Sequence, residues 1–265
     1  MGAFFDSHAH YYDARFSSEE CPDGSLALLD RLFDEGLLCG VINVGVDTAT
    51  TRAAIAQARR YPAMYVAAGF HPTDAMGYSD RAAALGELRD LIAEPSNKIV
   101  AVGEIGLDYH YPDTDRERQA AWFDAQLSLA EECDLPVIIH DREAHGDCFD
   151  AICAHPKSRG VFHSYSGSAE MARDLIRRGY YISFSGTVTF RNAQKVAAAA
   201  AALPRERVLI ETDCPYLAPE PYRGRLNHSG YLVYTAARLA TLWGITPEEV
   251  AALTADNARR LFLDK

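Results

Sequence analysis

Short apolar runs rich in Val, Ile and Phe alternate along this chain with longer stretches whose apolar residues recur every three or four positions. The runs predict strands at Phe4 to His10, Val41 to Val46, Tyr65 to Phe70, Ile99 to Glu104, Val137 to His140, Gly160 to His163, Tyr181 to Phe184 and Val208 to Asp213. Between them, the three- and four-residue spacing predicts helices at Ser25 to Glu35, Thr48 to Arg60, Arg81 to Ala93, Arg116 to Cys133 and Ala169 to Arg178. The Ala197 to Ala202 run is a strong helix former. Two more helices follow the last strand, Leu232 to Trp243 and one entered at Thr246-Pro247-Glu248-Glu249. That entry combines a Thr cap, Pro at the first position and acid in the first turn.

Eight strand-then-helix units predict an α/β fold of the (β/α)8 TIM-barrel type. The runs Val-Ile-Asn-Val-Gly-Val and Ile-Val-Ala-Val-Gly-Glu are nearly unbroken apolar strands, as parallel strands covered by helices should be. An open doubly wound sheet is the alternative. Against it, no Gly-x-Gly-x-x-Gly turn follows the first strand, and no Gly-Lys-Ser/Thr phosphate loop occurs. At 265 residues, with no linker, repeat or low-complexity stretch, residues 1–265 are expected to form a single domain.

His8 and His10, at the end of the first strand, stand two apart, so both imidazoles project from one face. Alone, that pair is a common coincidence. Glu104, His140, His163 and Asp213 each stand at or just past the end of another predicted strand. Catalytic groups of barrel enzymes gather at the carboxyl ends of strands, so these six residues are the candidate metal ligands. Mixed imidazole and carboxylate ligation suits Mg, Zn or Mn. Two ions are expected, with His8, His10 and Asp213 on one, His140 and His163 on the other, and Glu104 able to bridge. Such a pair clamps a bridging hydroxide and performs hydrolysis with no protein nucleophile. Glu104 and Asp213 compete for the role of proton acceptor from the attacking water.

The blocks Phe-Asp-Ser-His-Ala-His, Gly69-Phe70-His71-Pro72, Gly103 to Tyr109, Ile139 to Arg142, His163 to Ser168 and Glu211 to Pro219 run in order through nearly the whole chain. Together they resemble the TatD family of metal-dependent hydrolases. The resemblance implies an amidohydrolase-like barrel with one to three divalent ions, deoxyribonuclease activity, often 3′-to-5′ exonucleolytic, and metal roles for the six residues named above. The chain departs from the family after Leu226-Asn227, where Glu-Pro is usual and His228-Ser229-Gly230 stands here. It also has Asp141 where the family usually has Ser, and a helix N-cap is the simplest role for that carboxylate.

A net charge of -11 excludes a protein that coats nucleic acid nonspecifically, though not a nuclease whose bound cations reverse the local field. His71 and Arg142 are the candidate substrate-binding residues, positioned to meet phosphate oxygens. Arg191, Arg223 and Arg225 fall in loops after strands, and Tyr109, Tyr165, Phe190 and Tyr222 are candidate stacking surfaces for bases. The expected substrate is therefore DNA, single-stranded or at frayed ends. A barrel hydrolase of a small ester, lactone, amide or phosphotriester is the alternative, and a noncatalytic metal-binding scaffold leaves the strand-end arrangement unexplained. Six scattered cysteines without a Cys-x-x-Cys pair, no basic-then-apolar leader and no apolar run of membrane-spanning length fit a cytoplasmic protein with no obligate protein partner.

Overall fold

The computed structural model describes residues 3–264. Its strands are β1 (Phe4–Ala9), β2 (Leu38–Val44), β3 (Met64–Ala68), β4 (Ile99–Asp108), β5 (Val137–Arg142), β6 (Gly160–Phe162), β7 (Tyr181–Phe184) and β8 (Val208–Ile210). They form one sheet in chain order, and β1 with β2, β3 with β4, β4 with β5, β5 with β6 and β7 with β8 pair in parallel. Helices α1 (Gly24–Asp34), α2 (Thr48–Ala58), α3 (Arg81–Ala93), α4 (Arg116–Cys133), α5 (His145–Ala154), α6 (Ala169–Arg177) and α7 (Gln194–Ala202) separate successive strands, and α8 (Leu232–Trp243) and α9 (Pro247–Phe262) follow β8. This is the (β/α)8 class. The contacts group into two compact units, residues 1–43 with 163–265, and residues 44–162.

In the first unit β1 meets β8. The Asp213 N–H donates to the His8 carbonyl at 2.9 Å and the His10 N–H to the Cys214 carbonyl at 2.8 Å, beside a parallel bridge between Ala9 and Cys214. α9 lies against both strands, entered through a capping box in which Thr246 and Glu249 satisfy each other's backbone N–H groups. Beneath the seam, Asp6 is wholly buried. It accepts hydrogen bonds from the Thr212 and His8 N–H groups on one oxygen, and from the Thr212 and Ser229 hydroxyls, both at 2.6 Å, on the other. Burial pushes its carboxyl up to about 6, and those four donors hold it from rising further.

In the second unit the sequence reads as core and as spacing for the site. Phe70, Trp122, Leu88 and Leu129 pack in one cluster between the strands and α3 and α4. Two buried glutamines one heptad apart on α4 fasten strand ends. Gln126 accepts from the Phe70 N–H at 2.7 Å and donates to its carbonyl at 3.1 Å, while Gln119 accepts from the Asp108 N–H at 2.9 Å. Two glycines on β4 admit close neighbours. A Cβ on Gly103 would lie 2.7 Å from Ile138 Cβ, and one on Gly106, whose φ is +140°, would lie 2.0 Å from the His140 carbonyl oxygen.

The strand boundaries differ from the sequence reading at two informative places. β4 runs four residues past Glu104 because its pairing with β5 continues to Asp108 and Arg142. β8 stops at Ile210 rather than Asp213, because Asp213 takes a left-handed conformation, φ +57°, that ends an extended run.

Two outcomes follow from these contacts. Asp6→Ala leaves four buried donors without their acceptor and is expected to cost about 3–5 kcal/mol of stability, read as a lower urea midpoint. In the loop after β8, burial pulls His228 down to about 4, helped by the nearby Arg31 charge, and its Nδ1 accepts the Gly230 N–H at 3.1 Å. A lowered folded value means stability is complete above the unfolded pKa, about 6.5, and lost as pH falls from there to about 4. Thermal denaturation of His228→Asn, which keeps an acceptor but no titration, should show up to about 3 kcal/mol less acid destabilisation across that window.

Candidate metal centre

The predicted ligands gather into one cluster in each unit. In the first, strand alternation sends His8 and His10 to one side, and their Nε2 atoms stand 3.1 Å apart. Asp213 brings Oδ1 to 3.6 Å from His8 Nε2 and 3.3 Å from His10 Nε2. These three ligand atoms lie within 4.8 Å of one another. The His163 ring stacks on His8 at 4.1 Å, and its Nδ1 lies 3.3 Å from Glu211, a carboxylate with no exposed side-chain surface. Glu211 Oε1 also accepts the Ser164 N–H at 2.6 Å, so one buried acid orients both His163 and the turn after it.

Burial works to raise the Asp213 carboxyl, but the hydrogen bond from His10 and the charges of His8, His163 and His10 outweigh it and hold it below the ordinary value. It is therefore an anion at neutral pH. Two imidazole nitrogens and an anionic oxygen converging on one point are a donor set that fits a divalent ion of the zinc or manganese kind. Tyr12 reaches His10 Nδ1 at 3.1 Å, fixing the ring from its other side.

In the second unit His140 sits between two carboxylates. Its Nδ1 is 2.7 Å from Glu104 Oε1 and its Nε2 is 3.3 Å from Asp108 Oδ2. The His71 ring packs edge-on against His140 at 4.5 Å, with Nε2 3.7 Å from Glu104 Oε1. His71, Asp108 and His140 form a second group of ligand atoms within 4.8 Å of one another. Burial opposes ionisation of Asp108, yet hydrogen bonds from His140 and the His110 N–H, with the Arg142 charge, keep it below the ordinary carboxylate value. This donor set also fits a divalent ion.

The structure thus adds Asp108 and Glu211 to the residues singled out from sequence. Asp108 had a readable signal, since even spacing along β4 puts it on the same side as Glu104. Glu211 had none beyond its place two residues before Asp213. His71, expected at the substrate, is a member of the second cluster, while Arg142 is half-exposed with its guanidinium 3.9 Å from Asp108. Asp141 does not cap α5. The cap residue is Ala144, with no side-chain hydrogen bond, and Asp141 instead holds His145 Nδ1 at 2.7 Å. Tyr165 is buried and donates to the Ser168 carbonyl, so it offers no face to a base, and the Tyr109 hydroxyl is held by Asp147 at 2.7 Å.

An alternating (β/α)8 chain with imidazole and carboxylate groups clustered at its strand ends belongs to the class of metal-dependent barrel hydrolases. The model of the TatD related DNase family matches residues 5–263, and the chain belongs to that family. It is 37% identical over 260 residues to the uncharacterized metal-dependent hydrolase YabD of Bacillus subtilis, covering 97% of this chain and 98% of that one. Against TatD of Mycobacterium tuberculosis, likewise named an uncharacterized metal-dependent hydrolase, identity is 36% over 266 residues and coverage 97% of each. The crystal structure of the TatD homologue YjjV of Escherichia coli superposes with a TM-score of 0.89 at 31% identity, covering 99% of this chain and 98% of that one. A TIM-barrel protein of Bordetella bronchiseptica, at 14% identity and a TM-score of 0.66 over 98% of each chain, shares the fold. Among the described residues no helix is long and apolar enough to cross a membrane.

An ion at each cluster has a direct readout. Protein stripped with chelator and reloaded with Zn or Mn should bind metal and unfold at a higher temperature. His10→Ala and Asp108→Asn are each expected to lower the metal content per chain measured by elemental mass spectrometry. Full metal content in both variants would show that neither cluster is a metal site.

Proposed function

We propose that this protein is a divalent-metal-dependent nuclease that hydrolyses phosphodiester bonds of DNA, removing nucleotides from the 3′ ends of single strands or frayed ends. The observation that carries this reading is the convergence of ionised carboxylate and paired imidazole at strand ends, Asp213 with His8 and His10 and Asp108 with His71 and His140, in a TatD related DNase chain. His8, His10, Glu104, His140, His163 and Asp213 are the proposed ligands of two divalent ions, Mg, Zn or Mn, with Asp108 and His71 joining the second cluster. Divalent ions held there supply an acidified water and positive charge for non-bridging phosphate oxygens.

The chain's own groups complete the reaction. Asp213, kept ionised inside its cluster, and Glu104, which faces both His71 and His140, are the rival proton acceptors in this reading. Arg142, half-exposed at the end of β5, presents a guanidinium to a phosphate oxygen, and its long 3.9 Å contact to Asp108 leaves it free to turn outward. The catalytic unit in this reading is residues 1–265 acting as one hydrolase domain in the cytoplasm, with no obligate protein partner.

Single-stranded DNA labelled at the 3′ or the 5′ end, incubated with Mg, Mn or Zn beside Glu104→Ala, tests the reading. Metal-dependent shortening from the 3′ end, reduced at least ~100-fold in Glu104→Ala, is the expected outcome. Metal-loaded protein that leaves DNA intact and cleaves p-nitrophenyl esters would instead identify a small-molecule hydrolase.

A further inference from the structure

In the first unit, the loop after β8 and residues between Arg15 and Arg31 line two open cavities, of about 760 and 450 Å³. Both have Glu20, Arg225 and Leu226 in their walls. Tyr216, an exposed ring three residues past Asp213, has His10 as an edge-on neighbour at 6.2 Å. The Arg15 guanidinium lies over the same ring at 3.7 Å, and Arg15 lines the smaller cavity. A run of aromatic and guanidinium groups therefore leads from His10 into the cavities, all within one unit of the fold.

The lining chemistry is that of a polyanion with flat bases. Four arginines, Arg15, Arg31, Arg223 and Arg225, line the two walls with Glu19, Glu20 and Asp23, and Arg15 is also paired with Asp13 at 3.2 Å. Two of the arginines are held only loosely. Arg225 meets Glu20 and Arg31 meets Asp23, each at 3.4 Å between exposed side chains, pairs that a phosphate displaces at little cost. Arg223 pairs with no carboxylate among the described residues and lies over Phe190 at 4.5 Å. In the larger cavity His228 packs on Tyr231 at 4.1 Å, and Tyr231 stacks on Tyr222 at 4.4 Å with the rings 7° from parallel. Tyr222 lies in the wall of the larger cavity, where Tyr234 meets it edge-on at 5.3 Å and donates to its hydroxyl at 3.3 Å.

We propose that the two cavities form a trough for a single-stranded nucleic acid, with a base stacked on Tyr222, phosphates on Arg15, Arg223 and Arg225, and Tyr216 under the nucleotide next to the metal cluster. The proposal rests on the phosphodiesterase reading and names where the strand beyond the cleaved bond lies. Unpaired bases are required because stacking on Tyr222 needs an exposed base face, which a duplex hides. Each hollow falls within the roughly 300–1,000 Å³ of small-ligand pockets, room for a nucleotide.

Fluorescence anisotropy of a labelled 12-residue oligothymidylate, read in chelator so that nothing is cleaved, measures the trough apart from catalysis. Tyr222→Ala and Arg225→Ala are each expected to weaken binding about five- to tenfold, and Tyr222→Phe to restore it. Glu20→Gln keeps an acceptor for the Leu226 N–H, which Glu20 holds at 2.9 Å, but frees Arg225, and is expected to tighten binding two- to fivefold at low salt and not at high salt. With metal added, the KM of the 12-mer should rise in Tyr222→Ala relative to that of a dinucleotide. The trough is overturned if the wild-type protein does not bind the 12-mer below millimolar concentration, if none of the variants moves the affinity, or if polyglutamate of equal charge competes as well as DNA. Binding without cleavage of any phosphodiester would leave the trough standing and sink the nuclease.

Discussion

A single buried carboxylate sets the geometry on which the first cluster of imidazole and carboxylate groups depends. Asp6 gathers the His8 N–H, both hydrogen-bonding groups of Thr212 and the Ser229 hydroxyl. It thereby ties the strand that carries His8 and His10 to the segment that carries Asp213, and to the loop that returns toward the trough. A neutral residue could fill the space but could not bind four donors at once. An ion without a cationic partner is costly to bury, and the rise of this carboxyl to about 6 records that cost. Four hydrogen bonds to a charged acceptor, each stronger than a neutral one, offset it.

The chain around the ligands is held in conformations it would not adopt alone. Asp213 and Ser164, the residue after His163, have φ of +57° and +41°, in the left-handed region that non-glycine residues rarely occupy. In each case a hydrogen bond anchors the residue, from the Asp213 N–H to His8 and from the Ser164 N–H to Glu211. Such positions concentrate at functional sites because surrounding contacts over-determine them. The electrostatics follow the same logic. Asp213 and Asp108 are both kept ionised by neighbouring imidazoles, so each cluster presents a fixed negative oxygen among ring nitrogens, an arrangement a cation completes.

Most of this was legible in the residues, for reasons that differ by element. The helices at Arg81, Arg116 and Leu232 begin and end where the spacing predicts, since helix periodicity is read over many residues. The pairing of His8 with His10 was legible because side chains two apart along a strand share one side. Asp108 escaped because β4 was expected to end at Glu104, and only its pairing with β5 extends the strand far enough to bring Asp108 to His140. Glu211 escaped because its role is to orient another side chain, and nothing local to its own sequence reports that. Asp141 looks like a helix cap on position alone, yet His145, one turn on, competes for the same carboxylate and wins.

The segment after β8 connects these observations. It supplies Asp213 to the cluster, Tyr216 to the edge of His10, Tyr222 and Arg225 to the cavity walls, and Ser229 to Asp6, so ligand, stacking surface and anchor come from under twenty consecutive residues. Asn227 braces its middle, donating to the Thr212 carbonyl at 2.8 Å and the Tyr216 carbonyl at 2.6 Å. A loop anchored at both ends and braced between them cannot shift its aromatic wall without moving Asp213 as well. The same loop carries His228, whose ring packs on Tyr231 at 4.1 Å in the wall of the larger cavity. That ring and the loosely held arginines of the same walls are what the proposed trough offers a flat, anionic occupant.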